Sequence, residues 1–149
     1  MSKREQTQRD QVAQLRTALR EAGLRATLSR VAVLQQLMAS RSPVSHADVV
    51  ESLAGSGFDR ATLYRNLIDL TEAGMARRTD VGDHVWRFEL RNNDNGHDTD
   101  HPHFVCGNCG AVECLPATAV TIRPVRGGPR ALRRKGLSVH VHGVCDACA

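Results

Sequence analysis

Apolar residues recur at helical spacing through the first half of the chain. Val12, Leu15, Leu19 and Ala22 lie three or four apart within residues 10–22, and Gly23 stops the run. Thr27 is placed to cap a second helix whose apolar face carries Val31, Leu34, Leu37 and Met38, and Pro43 breaks the chain beyond it. Ser45-His46-Ala47-Asp48 has the form of a capping box and opens a third helix through Val49, Val50 and Leu53, ended by Gly55 and Gly57. Asp59 then caps a fourth helix, with Leu63, Leu67 and Leu70 as its buried stripe and Gly74 at its end.

After Gly74 the apolar period changes from that of a helix to that of a strand. Ala76–Thr79 and His84–Leu90 flank the turn-rich Asp80-Val81-Gly82-Asp83, which predicts a hairpin. Trp86, Phe88 and Leu90 fall on one face of its second strand and Val85, Arg87 and Glu89 on the other. His84 is expected on the Trp86 face, partly buried in the hairpin. Helices followed by a two-stranded hairpin is the order of a winged helix-turn-helix, whose last helix enters a major groove. The polar run Arg91–Gly96 reads as a linker. Short strands are expected beyond it around His103–Cys106, Ala111–Leu115 and Leu137–Val144. The expected division is a winged-helix domain over 1–91, a hinge over 92–100 and a second domain over 101–149. Six cations lie between Arg123 and Lys135, with Pro124, Pro129 and Gly127-Gly128, which excludes a long regular helix there.

Two Cys-x-x-Cys pairs, Cys106/Cys109 and Cys145/Cys148, lie 35 residues apart. Each pair offers two thiolates from one tight turn, and two such turns complete the tetrahedral S₄ shell that suits structural Zn²⁺. The competing readings are disulfides or a redox dithiol. A disulfide framework belongs to secreted chains, whereas Met1–Gln6 has neither the apolar core nor the cleavage site of a signal peptide. A thioredoxin-like dithiol needs one such motif, not two matched pairs. A cytoplasmic location is therefore expected. No apolar run approaches the ~20 residues of a membrane-spanning helix. His101-Pro102-His103, three residues before Cys106, is not needed by a closed Cys₄ site and points to a second, sensing or acting metal site.

Composition narrows the partner. Of 149 residues 41% are hydrophobic and only 3% aromatic, so the cores are small and aliphatic. Net charge is +4, and because Lys3 and Lys135 are the only lysines, 18 of the 20 cations are arginines, whose forks fit phosphates and base edges. In the fourth helix Arg60, Thr62, Arg65 and Asn66 lie off the apolar stripe with Tyr64 on its flank. These types hold phosphates and read bases, although a solvated helix face has the same look. Following a helix-turn-helix order, they point to double-stranded DNA rather than to a small-molecule substrate.

Several segments together resemble the ferric uptake regulator family of bacterial metal-responsive repressors. They are Gly23-Leu24-Arg25-Ala26-Thr27 with Arg30, Ala61–Leu67, Arg87-Phe88-Glu89, His101-x-His103-x-x-Cys106-x-x-Cys109-Gly110 and Gly143-x-Cys145-x-x-Cys148. The resemblance implies an α+β homodimer with an N-terminal winged helix and a small C-terminal α/β dimerisation domain carrying the Cys₄ zinc. It implies Arg25 in the minor groove and Tyr64 and Arg65 at the major groove and backbone of an operator. It implies a sensor site holding a second divalent metal, Zn²⁺ or Fe²⁺, at the interdomain hinge, where Glu89, His101 and His103 occupy family ligand places. Cys114 stands where the family carries Glu, and Ser42 or Pro43 where it carries His.

The chain departs from that pattern in further ways. His46 lies near the missing histidine but inside the capping box, and the family's longer C-terminal helix is replaced by the proline-broken Arg123–Arg134. His97, Asp98 and Asp100 are candidate extra ligands in the linker. His140 and His142 share a strand face and read as solvent or interface residues. The set Glu89, His101, His103 and Cys114 is an N₂OS shell that a tetrahedral zinc accepts, which tilts the expectation toward Zn²⁺; the competing reading of Cys114 is core packing behind Leu115. A peroxide or redox sensor on the same fold is the alternative, against which Glu89 rather than Asp argues by family analogy. A zinc- or thiol-dependent enzyme built on Cys114 and the histidine pair is the reading from another class. It lacks a Ser/His/Asp order, a phosphate loop or His-Glu-x-x-His, so no catalytic residues are expected.

Overall fold

The computed structural model describes residues 2–91, 101–134 and 136–149. The expected hinge 92–100, with His97, Asp98 and Asp100, lies outside the described residues, as does Lys135.

Helix α1 spans Lys3–Glu21, well ahead of the apolar pattern. A capping box closes its start: the Ser2 side chain accepts from the Arg4 N–H and the Ser2 N–H donates to Glu5 at 2.8 Å. Only Leu15 and Leu19 are buried, so its first turns rest on capping and propensity rather than packing. Helix α2 (Leu28–Ala39) is capped by Thr27, which accepts from the Arg30 N–H. A two-residue strand β1 (Val44–Ser45) precedes α3 (His46–Ser52), whose capping box joins Ser45 and Asp48. Helix α4 (Arg60–Glu72) starts at Asp59, which accepts from the Thr62 N–H at 2.7 Å. Strands β2 (Ala76–Thr79) and β3 (Arg87–Leu90) follow.

The wing is a three-stranded antiparallel sheet in the order β1-β3-β2. Strand β1 is too short to carry a readable period, which is why a two-stranded hairpin was the expectation. Leu19, Val33, Val49, Leu63, Leu67, Leu70 and Phe88 form the core of this unit. Strand β3 also begins three residues later than the pattern suggests. Asp80 accepts from the N–H groups of Gly82 and His84, Asp83 accepts from that of Val85, and His84 adopts φ 60. These side-chain acceptors replace ladder bonds with a long turn. The expected partial burial of His84 therefore does not occur; it is exposed. Trp86 is likewise 45% exposed, and the Arg78 guanidinium sits 4.4 Å above its ring.

The C-terminal sheet has β4 (His103–Cys106) at its centre, between antiparallel β5 (Val112–Cys114) and parallel β6 (His140–Gly143). The connection from β5 to β6 carries two short 3₁₀ turns, Ala117–Ala119 and Arg130–Arg133, in keeping with its prolines and glycines. The buried apolar cluster here is Val105, Val112 and Val81, the last contributed by the wing turn. Gly143 lies against Phe104, where an added Cβ would meet ring carbon Cε2 at 3.0 Å. Among the described residues this cluster is small, so the sheet gains little apolar packing of its own.

Candidate metal centres and DNA-facing surface

Two groups of donor atoms stand out among the described residues, and each brings its four atoms within 4.8 Å of one another. The first is Cys106, Cys109, Cys145 and Cys148, as the spacing predicted. Cys106 ends β4, and the turn after it closes with the Gly110 N–H donating to the Cys106 carbonyl at 3.0 Å. Gly110 takes φ 74, a left-handed conformation that suits glycine. The second pair follows β6 in a similar turn, the Cys148 N–H donating to the Cys145 carbonyl at 2.9 Å. Cys109 Sγ and Cys145 Sγ are 3.7 Å apart. A tetrahedron with Zn–S bonds of ~2.3 Å has edges of ~3.8 Å, so the set fits zinc. The Cys145 N–H also points to Cys106 Sγ at 3.4 Å. Backbone N–H groups of Cys109 and Cys145 draw the Cys106 thiol down to about 6, while hydrogen-bonding Cys145 and Cys109 push Cys148 up to about 12. The backbone N–H groups around Cys106 thus favour its thiolate, the form that binds metal.

The second group is Glu89, His101, His103 and Cys114. Glu89 comes from the wing strand β3, His103 from β4 and Cys114 from β5, with His101 just ahead of β4. Pairing of His103 with Cys114 across β4 and β5 sets two of the donors side by side. The Leu115 N–H donates to the Pro102 carbonyl at 2.8 Å, extending that pairing beneath His101. Both histidines are buried. Glu89 Oε2 lies 3.4 Å from His101 Nε2 and 3.6 Å from Cys114 Sγ, and Glu89 Oε1 lies 3.4 Å from His103 Nε2. Tetrahedral edges for bonds of ~2.0 Å to N or O and ~2.3 Å to S run from ~3.3 to ~3.5 Å, close to this spread. His103 Nε2 is buried without a hydrogen-bond partner among the described residues, an arrangement that suits a ligand atom. The donor set thus fits a divalent metal with borderline-soft character.

Electrostatics favour an anionic Glu89 and a protonated Cys114 in the metal-free cluster. Burial works to raise the Glu89 carboxyl, but neighbouring His103, His101 and Arg77 outweigh it and leave it below the ordinary carboxylate range. Burial first, and then the Glu89 charge, push the Cys114 thiol up to about 12. Sequence reasoning missed Arg77, which lies opposite Glu89 across β2 and β3 and donates to Glu89 Oε1 at 3.0 Å. The residue-for-residue register that pairs them is a tertiary fact with no signature in a linear pattern.

The other described histidines fall outside this cluster. His46 is half-buried at the start of α3; its Nε2 lies 2.8 Å from the Arg60 carbonyl and its ring meets Tyr64 edge-on at 5.3 Å. It therefore props the start of α4. His140 faces His103 with ring centroids 6.1 Å apart and bonds Ser138 Oγ at 2.9 Å, and His142 is exposed.

On α4, Arg60, Tyr64 and Arg65 are exposed, as is Arg25 in the loop before α2. Two residues of the expected DNA-facing set are differently engaged. Asn66 is 5% exposed, and its amide donates to Ser29 Oγ at 3.0 Å in a buried contact between α4 and α2. This removes Asn66 from the surface and corrects its expected role: one turn of helix carries it round to the α2 side. Thr62 is half-buried and its hydroxyl donates to the capping Asp59 carboxylate at 3.0 Å. Beside Asn66, Arg30 bonds both the Arg25 carbonyl, at 2.7 Å, and the Asp69 carboxylate. The Arg25 loop is thereby fastened to α4.

Residues 21–124 match the family model described as the Ferric uptake regulator family. The ferric uptake regulation protein of Legionella pneumophila is 33% identical over 134 residues, covering 87% of this chain and 95% of that protein. Among solved structures, the ferric uptake regulator of Vibrio cholerae superposes with a TM-score of 0.65 at 23% identity, over 87% of this chain and 98% of that one. A zinc uptake regulator solved in complex with zinc and DNA superposes at 0.56 and 20% identity, over 94% and 93%. At these identities the structural likenesses are likenesses of fold. No helix among the described residues is long and apolar enough to cross a membrane.

Two predictions follow the geometry. Cys148→Ser should remove the tightly held zinc and expose the amides of β4–β6 to fast hydrogen exchange; zinc content and exchange mass spectrometry check both. Cys114, raised to about 12, must lose its proton to bind metal. Zinc affinity at the second site should therefore rise about tenfold per pH unit from this thiol alone between pH 7 and 9, read by chelator competition.

Proposed function

The chain belongs to the ferric uptake regulator family of metal-responsive transcriptional regulators, and from that premise we propose that it is a homodimeric DNA-binding repressor switched by a divalent metal at Glu89, His101, His103 and Cys114. The observation that carries this reading is the convergence of donors from two sheets, one from the wing and three from the C-terminal unit. Zinc at the four cysteines is the structural partner of this site, and zinc is also the favoured sensed metal, because Cys114 brings a thiolate where an all-oxygen and nitrogen shell would suit iron or manganese better. The domain limits 1–91 and 101–149 belong to the same reading.

A metal held at the second site supplies a charge-neutralising link between wing and C-terminal sheet. The remaining work is done by the chain. Glu89 follows Phe88, which is anchored in the winged-helix core, so the position of Glu89 reports the position of the DNA-reading unit. His101 and His103 are held by β4 and its neighbours, and so report the position of the C-terminal sheet. Fixing one against the other selects one interdomain arrangement. If operator DNA selects the same arrangement, metal and DNA affinities rise together, by ~5–150-fold for coupling of ~1–3 kcal/mol. Arg60, Tyr64, Arg65 and Arg25 are the proposed contacts, with Thr62 holding the helix cap and Asn66 holding α4 to α2. The zinc-bearing neighbour solved with DNA supports the choice of partner.

The test is operator binding with Zn²⁺, Fe²⁺ and Mn²⁺ added separately to protein carrying only the Cys₄ zinc. Zinc should give the largest gain; no gain with any of the three ends the proposal. Cys114→Ser should keep the Cys₄ zinc and lose metal-dependent DNA binding, together with the thiolate charge-transfer band of a Co²⁺-substituted second site. Survival of band and response would make Cys114 a packing residue. Arg65→Ala should weaken operator binding by about 1–3 kcal/mol, checked by fluorescence anisotropy at fixed salt.

A further inference from the structure

Arg77 is a cation bonded directly to a member of the second metal cluster. It stands opposite Glu89 in the β2–β3 ladder and donates from Nη2 to Glu89 Oε1 at 3.0 Å. The same oxygen lies 3.4 Å from His103 Nε2. The side chains of Arg77 and Glu89 are 27% and 13% exposed, so solvent screens the pair only in part. The next residue, Arg78, turns to the opposite face of the strand and stacks on exposed Trp86.

We propose that Arg77 is an internal counter-cation of the Glu89–His101–His103–Cys114 site, pairing with Glu89 while the site is empty and lowering the site's affinity once a metal enters. The inference rests on the sensor reading of that cluster. An isolated buried carboxylate is costly, and Arg77 removes that cost in the metal-free state. A divalent ion bonded ~2.0–2.2 Å from a Glu89 oxygen would lie within ~5–7 Å of the Arg77 guanidinium. Arginine does not shed its proton to relieve that repulsion. The chain therefore carries a fixed positive charge beside its own cation site. A site so biased fills only at higher free metal, which places the switching point of a regulator rather than maximising its affinity. The alternative role for the same geometry is orientation: Arg77 could hold Glu89 in place for the metal. The two roles predict opposite signs when the charge is removed.

The experiment compares Zn²⁺ binding at the second site in the full chain carrying its Cys₄ zinc, by chromophoric-chelator competition at pH 7.5. The wild type, Arg77→Gln, Arg77→Lys and Arg78→Gln are measured side by side. Retention of one tightly held zinc per chain reports that each variant is folded. Arg77→Gln should tighten second-site zinc by roughly ten- to hundredfold, and operator binding should respond at correspondingly lower free zinc. Arg77→Lys, which keeps the charge, should stay within a few fold of wild type. Arg78→Gln, with the same loss of net charge on the other face, should leave second-site affinity unchanged. Unchanged or weakened zinc binding in Arg77→Gln would overturn the inference while leaving the sensor site standing. Equal tightening in Arg78→Gln would also overturn it, by showing a general charge effect. No second equivalent of zinc in any of the four proteins would instead overturn the sensor reading itself, and the inference with it.

Discussion

Strand alternation in β3 is the constraint on which the rest of this structure turns. Phe88 and Glu89 are neighbours and therefore face opposite ways. Phe88, 1% exposed, is sunk into the core built by α1 to α4. Glu89 emerges on the other side beside His101, His103 and Cys114. A shift of one residue in register would bury the carboxylate among leucines and expose the ring, so the hydrophobic core itself pins the position of the acid. The short β1 strand and the cross-strand partner Arg77 brace the same strand from its two edges.

A second set of polar contacts makes the DNA-reading unit rigid. Asn66 and Asp69 project from α4 toward α2, where they meet Ser29 and Arg30, and Thr27 Oγ1 lies 3.3 Å from Ser29 Oγ. Arg30 passes the constraint on to the Arg25 carbonyl. A buried amide bonded to a buried hydroxyl loses on the order of 1–3 kcal/mol if either partner is deleted, so this contact is specific as well as cohesive. Its outcome is that Arg25 and the exposed start of α4 keep a fixed separation, and any adjustment to DNA falls on the joint between the two units.

Much of this was legible in the chain. The caps at Thr27, Ser45 and Asp59 marked the helix starts, because each side chain has a local N–H to satisfy. The cysteine spacing led to the Cys₄ cluster, and the four residues of the second cluster came from motif resemblance and do meet in space. What escaped was set by tertiary contact. The start of β3 lay hidden behind Asp80 and Asp83, whose side chains compete with the ladder for backbone N–H groups. Asn66 is polar and so looked outward, yet a partner on α2 let it be buried. Arg77 could not be found from periodicity, since its meaning lies in the strand beside it.

Strand β4 is only four residues long, yet it begins with His103 and ends with Cys106. One end carries a donor of the second cluster and the other a donor of the Cys₄ cluster. The apolar cluster around this strand is small among the described residues, so much of what orders it lies at its two ends. Whatever fixes the cysteine end of the strand therefore also fixes the histidine three residues upstream, so the two clusters share one short lever instead of forming independently.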